Sequence, residues 1–131
     1  MTIRNIGAII AGLVAWVVIA TVLDRALRFA WPQYAAAVPI LTFTLQMMFA
    51  RLAEGAVVTI AAGYINRLIA RVSVWPAAVQ GLVILLLFLP SHYHLWHNFP
   101  LWYHLTFLGY LIPLTVLGAA LLPRRMARVP V

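Results

Sequence analysis

Cysteine is absent, lysine is absent, and the only acidic residues are Asp24 and Glu54. Without cysteine the chain forms no disulfide, no thiolate metal site and no cysteine nucleophile. Charged residues make up 8% of the 131 positions and hydrophobic residues 66%. Soluble domains carry about 25% charged residues, so this chain has too little charge to cover a water-facing surface. Also missing are a phosphate-cradling glycine loop, a dinucleotide glycine pattern, the His-Glu-x-x-His spacing of zinc hydrolases, and a nucleophile elbow around Ser73 or Ser91. These absences lean the reading away from an enzyme.

What is present is apolar sequence in four long stretches, expected at 6–23, 40–68, 75–90 and 100–122. Eighteen helical residues span about 27 Å, close to the hydrocarbon thickness of a bilayer. The first stretch reads as a retained helix rather than a signal peptide, because Asp24-Arg25-Ala26-Leu27-Arg28 follows it instead of a small-residue cleavage site. Between the first two stretches, Phe29, Trp31 and Tyr34 suit a membrane–water interface, while Pro32 and Pro39 break helices. Gly55, Thr59 and Gly63 recur every four residues, and Ala77 and Gly81 repeat the spacing, either for close helix packing or simply as small helix-compatible residues. Ser73 and Asn98 are candidate caps, Pro76 and Pro100 fit first turns, and Pro113 predicts a kink. The expected fold is an all-α integral membrane four-helix bundle in one domain, residues 1–131, with consecutive helices antiparallel and adjacent.

The net charge of +7 is carried by arginine alone. Basic chains can bind nucleic acid, but here the arginines flank apolar stretches, where charges set membrane orientation. Arg4, Arg67, Arg71, Arg124, Arg125 and Arg128 fall on the side of the termini, and Arg25 and Arg28 on the other. Six against two places both termini in the cytoplasm and the 90–104 tract outside, facing the periplasm of a bacterial inner (cytoplasmic) membrane. The lipid bilayer is the expected partner, nucleic acid is not, and a homo-oligomer or a larger membrane complex is open.

With that orientation Asp24, Arg25, Arg28, Arg51, Glu54, Tyr103 and His104 converge on the outer half of the bundle. An intramembrane charge costs roughly 2.5–3.5 kcal/mol on insertion scales, so pairing is expected. One reading is a structural clamp, Arg51 with Asp24 or Glu54, and Glu54 with Arg25 or Arg28. The other is an ion, proton or anionic-ligand site, including a minor transporter or proton path through Arg51 and Glu54. Asp24 and Arg28 have the four-residue spacing of a helical ion pair.

All four histidines, His92, His94, His97 and His104, fall between Pro90 and Leu105. Their spacings fit no single regular element, yet a loop can gather three nitrogens around Zn²⁺ or Cu²⁺, and His92 with His104 can face a haem. The bland reading is an interfacial belt shared with Trp96, Trp102 and Tyr103. His104 lies at the level of the charged residues, and His92, His94 and His97 are expected nearer the interface.

The run from Leu95 to Leu105, with Trp96, His97, Asn98, Phe99, Pro100, Trp102, Tyr103 and His104, followed by Pro113, Leu114 and Gly118, resembles small four-span bacterial inner-membrane proteins with no assigned activity. Tyr103 and His104 match that group's tract, whereas His97 and Asn98 stand where its acidic position falls. The resemblance implies a four-span fold and an inner-membrane location. The functional expectation is a non-enzymatic structural or accessory membrane component. The alternatives are a periplasm-facing metal- or haem-binding protein and the Arg51/Glu54 transport path.

Overall fold

A computed structural model describes residues 2–71 and 73–122. Arg124, Arg125 and Arg128, which contribute to the expected orientation, lie outside the described residues. The chain forms α1 (Ile3–Ala30), α2 (Pro32–Ala37), α3 (Leu45–Ala70), α4 (Trp75–His94), a 3-10 turn (Trp96–Asn98) and α5 (Leu101–Ala120). The described residues contain no strand. Helices α1, α3, α4 and α5 are each long and apolar enough to cross a membrane.

The helix limits differ from the hydropathy limits for local reasons. The first helix runs past Asp24 and Arg28 to Ala30, because the ion pair at that spacing suits a helix. Pro32 does not end the structure there; it opens α2, where its missing N–H costs nothing. Residues 40–44 are apolar but not helical, with Leu41 at φ 55, and α3 starts only where the Thr44 hydroxyl accepts the Met47 N–H at 3.3 Å. Pro90 lies inside α4, which continues through His92 and His94. Ser73 acts one step before α4, its hydroxyl accepting the Trp75 N–H at 3.2 Å. Pro100, rather than Asn98, occupies the cap position of α5. Pro113 sits within α5, which runs on to Ala120.

The four long helices pack in the cyclic order α1–α3–α5–α4, with the most extensive packing between α3 and α5. Consecutive helices α3 and α4 therefore meet across the diagonal and pack less extensively than α3 with α5, where the sequence reading made them the adjacent pair. The reason is the α3–α5 seam. Gly63 lies against the carbonyl of Thr115, and Gly118 lies reciprocally against the carbonyl of Ile60, leaving no room for a Cβ at either glycine. Backbones approach this closely only where side chains are missing, and van der Waals packing of this kind is the main attraction between helices in lipid. Both helices run in the same direction across this seam. Phe43 and Phe99, each just before its helix, stack at 5.5 Å, while Thr59 and Thr115 each donate to a carbonyl one turn back at 2.6 Å.

The small-residue stripe of α3 is shared between two neighbours. Gly55 faces Tyr110 and Phe107 of α5, and the Thr59 hydroxyl accepts the indole N–H of Trp16 on α1 at 3.1 Å. Gly81 of α4 lies against Ile112 of α5. Gly12 of α1 lies against the Gln80 amide, and the fully buried Asn66 donates to that amide oxygen at 2.8 Å across the diagonal. At the other end, the hairpin end, the core is aromatic: Phe99, Tyr103 and Phe107 pack with Leu52, Ile84 and Leu111. Helix α2 closes that end by folding Tyr34 and Ala37 onto Met47. The outer surface is apolar, including Ile3, Ile6, Ile10, Val14, Val17, Val18 and Val22 along α1.

Candidate functional site

Arg51 sits in the second turn of α3, at the hairpin end of the bundle. Its Nε–H donates to the Tyr103 hydroxyl at 3.1 Å and a terminal N–H donates to the Tyr34 hydroxyl at 2.9 Å. The guanidinium carbon lies over the Phe43 ring at 4.7 Å and 5.8 Å from the Phe99 ring centre. Cation–π contacts of this kind contribute about 0.5–2 kcal/mol, most where the cation is desolvated. The immediate partners of this charge are therefore neutral, drawn from α2, α5 and the turns before α3 and α5. The expected clamp between Arg51 and Asp24 or Glu54 is not formed.

Among the described residues the carboxylate ion pair within contact distance is Asp24 with Arg28, at 2.8 Å between Oδ2 and Nε, as the spacing predicts. The Arg28 N–H is not aligned on the carboxylate, so the contact is ionic rather than a directed hydrogen bond. Arg25 is exposed. Glu54 is paired with neither Arg25 nor Arg28, and its Oε1 is buried without a hydrogen-bond partner. Tyr34 is fully buried. Burial pushes its phenol above the ordinary tyrosine range, partly offset by Arg51 beside it, so it stays protonated and serves Arg51 as a neutral acceptor.

The four histidines separate into two pairs. His104 is buried, and its Nε2 lies 3.2 Å from the Trp96 carbonyl. Its Nδ1 lies 2.7 Å from the Nδ1 of His92. A carbonyl only accepts, so His104 carries a proton on Nε2 toward Trp96. The Nδ1 atoms of His92 and His104 share one hydrogen bond, with the proton on either ring. Packing fixes both rings: Trp96 stacks on His104 at 4.8 Å, and Phe107 stacks on His92 at 4.9 Å. His92 thus belongs with His104 rather than with an interfacial belt. His94 and His97 are exposed and line, with Tyr93 and Trp96, an open depression of about 510 Å³ at the hairpin tip.

This arrangement bears on the metal and haem readings. Two nitrogens bound to one tetrahedral Zn²⁺ at 2.0–2.1 Å stand roughly 3.3 Å apart. The 2.7 Å separation of His92 and His104 fits an N–H···N hydrogen bond instead. Both ring nitrogens of His104 are engaged, which leaves none for a haem iron. No group of three or more His, Asp or Glu residues among the described residues is placed to hold a metal ion.

Two cavities meet at Arg51. The first, about 240 Å³, is lined by Trp16, Asp24, Arg51, Glu54, Phe88 and Tyr103 among others. The second, about 100 Å³, adds Ser91, His92 and His104. Arg51, Phe88, Tyr103 and Phe107 are walls of both. Asp24 and Glu54 line the first cavity and His92 and His104 the second, and Arg51 borders both, so the two together form a polar chamber around the guanidinium. Asp24, Arg51, Glu54, Tyr103 and His104 are brought together as the sequence indicated, and Arg25 is not. Sequence reasoning missed Tyr34, Phe43, Trp16 and Phe88. The available signal was Pro32 two residues before Tyr34, a first-turn proline that starts a helix and turns the phenol inward.

Comparison of the chain with protein-family models, with curated proteins and with solved structures finds no match.

Proposed function

We infer that the protein is a multi-pass component of the bacterial cytoplasmic membrane, both termini inside, akin to the small four-span proteins its Trp96–His104 tract resembles. Its role is non-enzymatic: an accessory membrane protein that holds a small ligand in the chamber around Arg51. The observation that carries this reading is the way Arg51 is held. A purely structural clamp neutralises a buried charge against a carboxylate. Here two phenols and two aromatic faces fix the guanidinium while the carboxylate of Glu54 stays uncommitted across a cavity. Fixed, incompletely used charges inside an apolar bundle are characteristic of ligand and ion pathways. The histidine hairpin lies above this chamber as its outer cap.

Two experiments test the reading. The chain has no cysteine of its own, so single substitutions report topology cleanly. A membrane-impermeant maleimide added to intact cells is expected to label His97→Cys and to leave Ser73→Cys unlabelled until the membrane is opened. The reverse pattern overturns the orientation. Mass spectrometry of solvent extracts is expected to show a small molecule retained by the wild type purified in mild detergent and lost from Arg51→Leu. Identical extracts from the two folded proteins return Arg51 to a structural role.

A further inference from the structure

We propose that Glu54 is a proton-binding site, its side chain resting in the bundle as the neutral carboxylic acid. Such a site goes beyond the retained ligand and needs no guest, but it rests on the multi-pass placement inferred above. Among the described residues, no group donates a hydrogen bond to either oxygen of Glu54, and Oε1 is enclosed as well. No cation of the described residues stands within ion-pair distance of it, since Arg28 is engaged by Asp24. An ionised carboxylate in that position gives up hydration and recovers no donor in return. It escapes the cost by taking up a proton. The cavity that Glu54 lines is open rather than sealed, so a proton can reach it.

The surrounding elements decide whether anything else holds the charge. From α1, Asp24 lines the same cavity, and a second carboxylate nearby disfavours a further negative charge. On α3 itself, Arg51 acts in the opposite sense. It lines the cavity too, but its Nε–H and one terminal N–H go to Tyr103 and Tyr34, and its guanidinium rests on Phe43. From α2 comes the neutral phenol of Tyr34. From α5 come Tyr103, which accepts from Arg51, and Tyr110, whose hydroxyl donates to the Leu52 carbonyl at 2.8 Å. From α4 comes Phe88, while His92 and His104 line the second cavity and bond to each other. None of these groups donates to Glu54. A proton there also alters what the chamber carries. Asp24 is matched by Arg28, so with Glu54 neutral the lining keeps the positive charge of Arg51, and with Glu54 ionised the lining is neutral. Proton exchange at Glu54 thus sets the charge that a guest meets, while the phenols hold the guanidinium in place.

Composition makes the test clean, because Glu54 is the sole glutamate and Asp24 the sole aspartate. Infrared spectra of the full chain at pH 7, in a detergent free of esters, are expected to show the carbonyl stretch of a neutral carboxyl that shifts in heavy water. Cell-free synthesis with glutamate carrying a heavy carbon in its side-chain carboxyl should move that band to lower frequency without any substitution, and labelled aspartate should leave it in place. The band should also vanish in Glu54→Gln, persist in Asp24→Asn, and fade reversibly from the wild type as the pH is raised. Absence of the band from the folded wild type at pH 7, or a band that labelled glutamate does not move, overturns the proton site. A missing band beside a small molecule still retained in solvent extracts strikes the proton site and leaves the ligand-holding role standing. A band present with empty extracts does the reverse.

Discussion

Removing the Tyr103 hydroxyl takes away the acceptor of the Arg51 Nε–H and leaves the charge where it is. An unmet charged donor costs about 1–3 kcal/mol or more when buried, so Tyr103→Phe and Tyr34→Phe should each lower stability by that order in reversible detergent unfolding. In an Arg51→Leu background the same changes should cost much less, because no donor is stranded; an unchanged cost would show that the phenols act through packing alone. Trp16→Phe is a milder case. Thr59 keeps its bond to the Gly55 carbonyl when the indole is lost, so a cost near the ~0.6 kcal/mol average for hydrogen bonds between membrane helices is expected. At this scale the sequence was only half legible. Asp24 and Arg28 announce their pairing through a helical spacing. The phenols come to Arg51 from separate elements, and no periodicity connects Tyr34 or Tyr103 with position 51. His92 and His104 meet across a turn for the same reason.

The glycines separate positions that build the seam from positions that merely sit in a helix. Gly63 and Gly118 each rest on a backbone carbonyl of the other helix, which cannot yield as a flexible side chain can. Gly63→Val or Gly118→Val should therefore force α3 and α5 apart at a cost of about 1–3 kcal/mol or more. Gly109, on α5 and exposed, has nothing within reach of an added Cβ. Gly109→Ala should stabilise the same helix by about 0.5–1 kcal/mol, since glycine is a poor residue in a helix interior. Thermal unfolding of the three variants side by side checks both signs. The number and rough placement of the long helices could be read from hydropathy, which is an average over many residues. Their ends could not, because 40–44 is as apolar as the helix that follows, and only the Thr44 hydroxyl marks the start.

Across the whole molecule, the order α1–α3–α5–α4 could not be deduced from short connections, which favour sequential neighbours. It follows from which helix faces lack side chains, a property that becomes visible only once registers are known. The same arrangement gives α1 with α3 and α4 with α5 the standing of two upright hairpins, set side by side in the same sense around the α3–α5 seam. Phe43 and Phe99 occupy corresponding places before the second helix of each hairpin, and Thr59 and Thr115 correspond within it at the same offset. Each hairpin carries its own part of the site, Arg51 in the first and His92 with His104 in the second. A chain cut between residues 71 and 75 should then behave as two subunits. Co-expressed fragments 1–71 and 75–131 are expected to co-purify through the glycine seam, and Gly118→Val in the second fragment should abolish their association.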